Sequence, residues 1–145
     1  AGPVSVPPLE IQTEAMWICF DKELPKNFEE GRSGFSSALQ GIANLLRILL
    51  PIRLMCERRD IGILAQLKGP HQGFPMIIIW DKHPGGIGLA RRVFANERDV
   101  LKKALEQVRD CTCKEGCPAC TGPKLETGHR GKELTAKLLL NDFEG

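Results

Sequence analysis

Two hydrophobic rhythms alternate along the chain, a short one of strand type and a longer one of helix type. Between Glu10 and Phe20 the residues loosely alternate, with Ile11, Thr13, Ala15, Trp17 and Cys19 on one side. Met16, Ile18 and Phe20 make the second half apolar on both faces, which predicts a covered strand. After a charged, turn-rich stretch over 21–34, Phe35 to Leu50 is apolar nearly all round. That pattern predicts a buried central helix, with Ser33 or Ser36 as its N-cap and Pro51 as its end. Asn44 and Arg47 are the polar exceptions and are expected to snorkel to the surface. Two further strands are predicted over Ile61–Leu67 and Pro75–Trp80, the latter an unbroken apolar run of the kind buried on both faces. The short link between them makes an antiparallel hairpin.

A helix opens after Gly88, with Ala90, Val93, Phe94, Leu101, Ala104, Leu105 and Val108 at helical spacing. Asn96 with Asp99 three residues on resembles an internal cap, so a kink or break is expected there. A last amphipathic helix is expected over Gly131–Asn141, carrying Leu134, Leu138 and Leu139. Residues 1–9 hold three prolines and a glycine and read as a linker or arm, leaving 10–145 as a single domain. The fold class is therefore α/β of the α+β kind: a small, mainly antiparallel sheet packed with a buried central helix, plus C-terminal helices.

Composition narrows the function only a little. A net charge of +2 gives no strongly basic surface that would announce nucleic-acid binding by itself. The longest apolar run, Ile42–Met55, is broken by Asn44, Arg47, Pro51 and Arg53, and no signal peptide is visible, so no membrane partner is expected. The chain begins Ala-Gly-Pro without an initiator methionine, which points to a processed chain or a piece of a longer protein.

The chemistry lies in the cysteines. Four of the six, Cys111, Cys113, Cys117 and Cys120, fall within ten residues as C-x-C-x3-C-x2-C. The small residue and proline of Gly116-Cys117-Pro118-Ala119-Cys120 bend the backbone so that both sulfurs can face one centre, which favours a structural Zn²⁺. An iron–sulfur cluster and a disulfide are the alternatives, although C-x-C reaches disulfide geometry poorly. Thiolates used as ligands fit a reducing, cytoplasmic setting. A metal here would fold a segment with almost no apolar residues of its own and fix the angle between the helices on either side. Four thiolates around Zn²⁺ leave a formal charge of about −2, for which Arg109, Lys114, Lys124 and Arg130 are the nearby counter-charges in sequence. Cys19 lies far away in sequence and reads as a small buried hydrophobe.

A second feature is strand, then Pro84-Gly85-Gly86-Ile87-Gly88, then helix, a place where many α/β proteins bind phosphate. The spacing is not G-x-G-x-x-G, and a tight structural turn is the preferred reading, with Asp81 capping backbone N–H groups. A hydrolase or nuclease built on Asp81 and His83 is the alternative enzyme reading, and a protein-interaction module is a third.

Taken in order, Cys56-Glu-Arg-Arg-Asp60-Ile-Gly62, then Ile79-Trp-Asp81-Lys-His-Pro84-Gly-Gly-Ile-Gly88-Leu-Ala90, then the four clustered cysteines resemble one family. It is the C-terminal zinc-binding domain of the mitomycin-repair (MrfA-like) type of superfamily-two DNA helicases. The resemblance runs from about Phe35 to Leu140. It implies that Cys111, Cys113, Cys117 and Cys120 are the metal ligands and that Asp60, Asp81, Gly85, Gly86 and Gly88 are framework positions. It also implies a non-catalytic accessory domain on an ATP-binding motor that translocates 3′ to 5′ on DNA in repair. Its partners would be the helicase core of the parent chain and, weakly, single-stranded DNA.

Overall fold

Four strands form one antiparallel sheet in the computed structural model, which describes residues 3–6, 13–69, 73–83, 85–122 and 127–144. They are β1 (Pro3–Val6), β2 (Thr13–Cys19), β3 (Ile61–Gln66) and β4 (Met76–Asp81), in the spatial order β1-β2-β4-β3. The expected β3–β4 pairing is present, with Ile63 opposite Ile79, and β2 lies on the other side of β4 with Trp17 opposite Ile78. One strand within the expected arm was not anticipated. Residues 3–6 pair with β2, and Pro3 is tolerated because it opens an edge strand, where a missing N–H leaves no ladder bond unmade.

Successive strand side chains point to opposite faces. Met16, Ile18, Ile61, Ile63, Ile77 and Ile79 make the buried inner face, and Asp81 ends β4 on that same side. Over this face lies α2 (Gly31–Leu54), whose Phe35, Leu39, Ile42, Leu45, Leu46 and Leu50 are buried. Each such side chain contributes about 1.5–3 kcal/mol on burial, so this helix and the sheet supply most of the core. Phe35 also receives the edges of Phe20 and Phe28, at centroid distances of 6.0 and 5.6 Å.

This helix is longer at both ends than the sequence suggests. It starts at Gly31 behind Glu30, whose φ of 63° is left-handed, so neither Ser33 nor Ser36 is the N-cap. It then runs through Pro51, because the buried Leu50 and Leu54 hold the last turn against the core, and it stops at Met55 in a left-handed conformation (φ 54°). With 24 residues and a mean hydropathy of 1.3 it is long and apolar enough to cross a membrane by length and composition alone. Most of its apolar positions are instead buried against the sheet and the other helices, with Ile52 the exposed exception.

A short α1 (Leu24–Asn27) precedes it, and α3 (Leu89–Ala95), α4 (Glu97–Asp110) and α5 (Gly131–Glu144) follow β4. The break between α3 and α4 falls at Asn96, as expected, but not by a capping box. The Asn96 side-chain amide donates back to the Arg92 carbonyl at 2.8 Å, and Asp99 pairs with Arg53 on α2. Helices α4 and α5 pack on α2 and on each other, so the stretch between them sits at the meeting point of three helices.

Candidate metal centre

Helix α4 ends because Cys111 turns to an extended conformation (φ −70°, ψ 134°), which carries Cys113 onward. The chain doubles back at Gly116, whose φ of 123° and whose approach to the Gly122 carbonyl (2.7 Å from where a Cβ would sit) leave no room for a side chain. Cys117-Pro118-Ala119-Cys120 closes as a turn, with the Cys117 carbonyl accepting from the N–H groups of Cys120 (3.0 Å) and Gly122 (2.9 Å).

These turns bring together the four cysteines that the spacing singled out. The sulfurs of Cys111 lie 3.5 Å from those of Cys113 and Cys117, and Cys120 lies 3.5 Å from Cys113 and 3.8 Å from Cys117. All four fall within 4.8 Å of one another. A tetrahedral ion with Zn–S bonds of ~2.3 Å sets its sulfurs ~3.8 Å apart, so the space suits one ion and not a multi-iron cluster. Disulfides need sulfurs at ~2.0 Å, and all six cysteines are free. Cys19 and Cys56 are half-buried, and burial raises both of their thiols above the ordinary range.

Crowding splits the thiols. The backbone N–H of Cys113, then the Cys117 thiol, lower Cys111 to about 7, whereas desolvation and the neighbouring sulfurs push Cys113 up to about 12. Four crowded thiols cannot all ionise on their own; a divalent ion is what lets them.

Three helices hold the loop in place. Gln107 of α4 donates to the Ala119 carbonyl (3.0 Å), Asn44 of α2 donates to the Thr121 carbonyl (2.9 Å), and Lys132 of α5 donates to the carbonyls of Cys111 and Cys113. Asn44 and Arg47 therefore do not snorkel. Asn44 is buried, and Arg47 bonds Asn44 Oδ1 and the Ile63 carbonyl, both at 2.7 Å, so the pair links the sulfur loop to the sheet edge. Of the expected counter-charges, Arg130 turns away to Glu29, Glu30 and Glu133. Arg109 and Lys114 are exposed without an ion pair among the described residues, and Lys124 lies outside those residues. The ammonium brought to the loop is that of Lys132, on the Cys111 and Cys113 carbonyls, and no spacing rule identifies it, because only the return of α5 brings it there.

Lys132 thus fixes the peptides of two of the clustered cysteines and brings a positive charge to the loop. Replacing it by alanine should weaken zinc binding about tenfold, the usual scale for groups that orient ligands. Competition with a chromophoric chelator reads this, and an unchanged affinity would refute the role.

The glycine turn is a structural closure. Asp81 is fully buried; Oδ2 accepts from the N–H groups of Ile87 (2.6 Å) and Leu89 (3.2 Å), and Oδ1 accepts from that of His83 (3.0 Å). Gly85, Gly86 and Gly88 all have positive φ, from 78° to 89°. His83 Nε2 meets Asp60 Oδ1 at 3.0 Å, and the Glu57 backbone N–H, then the His83 ring, hold the Asp60 carboxyl below its usual range. Both Asp81 oxygens are therefore committed to backbone, which leaves no free carboxylate for a hydrolase of the kind outlined above.

Comparison with known proteins agrees with this geometry. The model of the MrfA Zn-binding domain family matches residues 42–121, which include all four clustered cysteines. The ATP-dependent helicase YprA of Bacillus subtilis is 36% identical over 140 residues, covering 96% of this chain and 18% of the helicase. A protein of Methanocaldococcus jannaschii is 34% identical over 80 residues, or 53% of this chain and 70% of its own length. A crystal structure of the DUF1998 helicase MrfA bound to DNA superimposes with a TM-score of 0.78 at 34% identity, over 91% of this chain and 17% of that one. The chain spans less than a fifth of the two helicases, at 18% and 17% of their lengths.

Proposed function

This chain belongs to the MrfA Zn-binding domain family, the zinc-binding domain of a family of DNA helicases, and we propose on that premise that it is a non-catalytic accessory domain. Cys111, Cys113, Cys117 and Cys120 hold one structural zinc. The remainder of the polypeptide supplies an ATP-driven motor that acts in DNA repair in the cytoplasm. Residues 10–145 are its C-terminal domain, which packs on the motor or guides the displaced strand.

The observation that carries this reading is the position of the sulfur cluster. It lies where α2, α4 and α5 converge, each tied to the loop by one side chain, so an ion there sets the angle between helices. Bound by four thiolates, zinc has a closed coordination shell and supplies cohesion. The domain's own residues then do the rest: Asn44, Gln107 and Lys132 orient the loop, and the sheet and α2 give the motor a rigid surface to lean on.

The zinc-loaded chain alone should hydrolyse no ATP, with or without single-stranded DNA. The intact polypeptide should hydrolyse ATP in a DNA-dependent way and lose unwinding when Cys117 and Cys120 are both changed to serine. ATP hydrolysis by the chain alone, or undiminished unwinding by the double variant, would overturn the proposal.

A further inference from the structure

A cleft of about 360 Å³ opens at the sheet edge, where the last turns of α2 meet β3 and the indole of Trp80 reaches over Gly62 from the other face. Among the described residues that line it are three cations, Arg47, Arg58 and Lys82, and no carboxylate. The nearest acids are already engaged: Glu57 pairs with Arg59 (2.6 Å), and Asp60 takes His83 and the Glu57 N–H (2.7 Å). Among the described residues none of the three cations has an ion-pair partner, in a chain whose net charge is only +2.

Arg47 is the most informative of them. Its guanidinium is half-buried on two neutral acceptors, Asn44 Oδ1 and the Ile63 carbonyl, which fix its plane. A buried cation without a counter-ion is costly, and two of five N–H donors in use leave others for an anion in the cleft. Phosphate suits such a fork.

Trp80 supplies the second half of the site. It stands opposite Gly62 in the β3–β4 register. A Cβ at Gly62 would lie 2.2 Å from Trp80 Cε2 and 2.3 Å from Cζ2. The indole therefore lies over β3 on the face that α2 does not cover, because position 62 has no side chain, and it borders the cleft across that edge strand. Fixed cations beside an aromatic platform are what a single strand needs, with backbone on the charges and base on the ring. Paired bases in a duplex cannot stack in this way.

The geometry points to this cleft as a binding site for one nucleotide of single-stranded DNA, with its phosphate on Arg47, Arg58 and Lys82 and its base on Trp80. The choice of DNA among polyanions rests on the helicase reading above. The cleft lies apart from the sulfur loop but is joined to it through Arg47 and Asn44, so the zinc loop would help to hold the cation in position.

The test uses the zinc-loaded chain in a Trp17→Phe background, which leaves Trp80 as the single tryptophan. A short labelled oligothymidylate should bind weakly, quench Trp80 and dissociate as salt rises. Trp80→Ala should weaken binding about tenfold, within the stacking contribution of one base. Arg58→Glu with Lys82→Glu, both exposed positions with no part in the core, should weaken it tenfold or more and flatten the salt dependence. Binding unaltered in both variants, binding without Trp80 quenching, or no binding to oligothymidylate would each overturn the cleft. None of these outcomes touches the helicase reading, which fails separately if the chain alone hydrolyses ATP.

Discussion

Stripping zinc from the purified chain with a strong chelator should lower its melting temperature by at least about 15 °C. Structural zinc sites bind with free energies on the order of 10 kcal/mol, comparable with the whole stability of a domain this size. Losing about half of that, at roughly 3–4 °C per kcal/mol, gives the stated drop. The loss should fall unevenly. The sheet and α2 have their own core, whereas the segment from Cys111 to Gly122 contributes one buried cysteine to it and little else apolar. Amide-exchange protection in α5 should thus be lost first and that of the β3–β4 pair last. Cys120→Ser, at the fully buried ligand, should reproduce the chelated state, while Cys19→Ser should leave the zinc content intact. Zinc binding near neutral pH must release protons, since Cys113 sits at about 12 and Cys111 at about 7 without the ion. Affinity should therefore fall as pH falls, and calorimetry in buffers of different ionisation enthalpy measures the proton count. A chelated protein that melts where the loaded one does would refute the structural role.

A second large effect is expected at the crossing of α2 and α5. Gly41 faces Thr135 there, and a Cβ at position 41 would lie 1.9 Å from Thr135 Oγ1 and 3.0 Å from its Cβ. Both residues are buried, and the Thr135 hydroxyl bonds the Ala38 carbonyl at 3.5 Å. Gly41→Val must push the helices apart or distort α2, at a cost of about 3 kcal/mol or more, the upper range for overpacking. Gly41→Ala alone should also destabilise, although alanine is the better helix former by about 1 kcal/mol. Combined with Thr135→Ala, which removes the 1.9 Å clash but keeps the Cβ at 3.0 Å, it should recover in part, giving a coupling of about 1 kcal/mol in a double-mutant cycle. Additive losses would mean that the two helices do not touch at this point. Because α5 carries Lys132, separation of the helices should also lower zinc affinity, which links the packing to the metal.

The parts of this molecule that were legible in the sequence are those written locally. The run Met76–Trp80 pointed to a buried strand, the apolar positions of α2 to a core helix, and C-x-C-x3-C-x2-C to a local metal site rather than a cluster or disulfide. The gap at Asn96 was legible as a break, but its hydrogen bond was not, because an asparagine can bond forward as a cap or back to the preceding turn. What escaped depends on distant partners. Asn44 looks like a stray polar residue on an apolar helix until Thr121, 77 positions away, presents its carbonyl. Lys132 competes in sequence with four equally near cations and is chosen only by the path of α5. Three prolines and a glycine made residues 1–9 read as an arm, and the edge position that tolerates Pro3 appears only with the sheet. The family itself was legible, since three ordered motifs carry a context that no single window holds, but the resemblance gave no role to Asn44 or Lys132.

The central claim is that four sulfurs hold one zinc where three helices meet. X-ray absorption at the zinc edge on the purified, metal-loaded chain tests it most directly. The predicted spectrum has one zinc per chain, fitted by four sulfurs at about 2.3 Å with no light-atom shell. A fit requiring nitrogen or oxygen in the first coordination sphere, a metal–metal distance, or zinc well below one equivalent would contradict it.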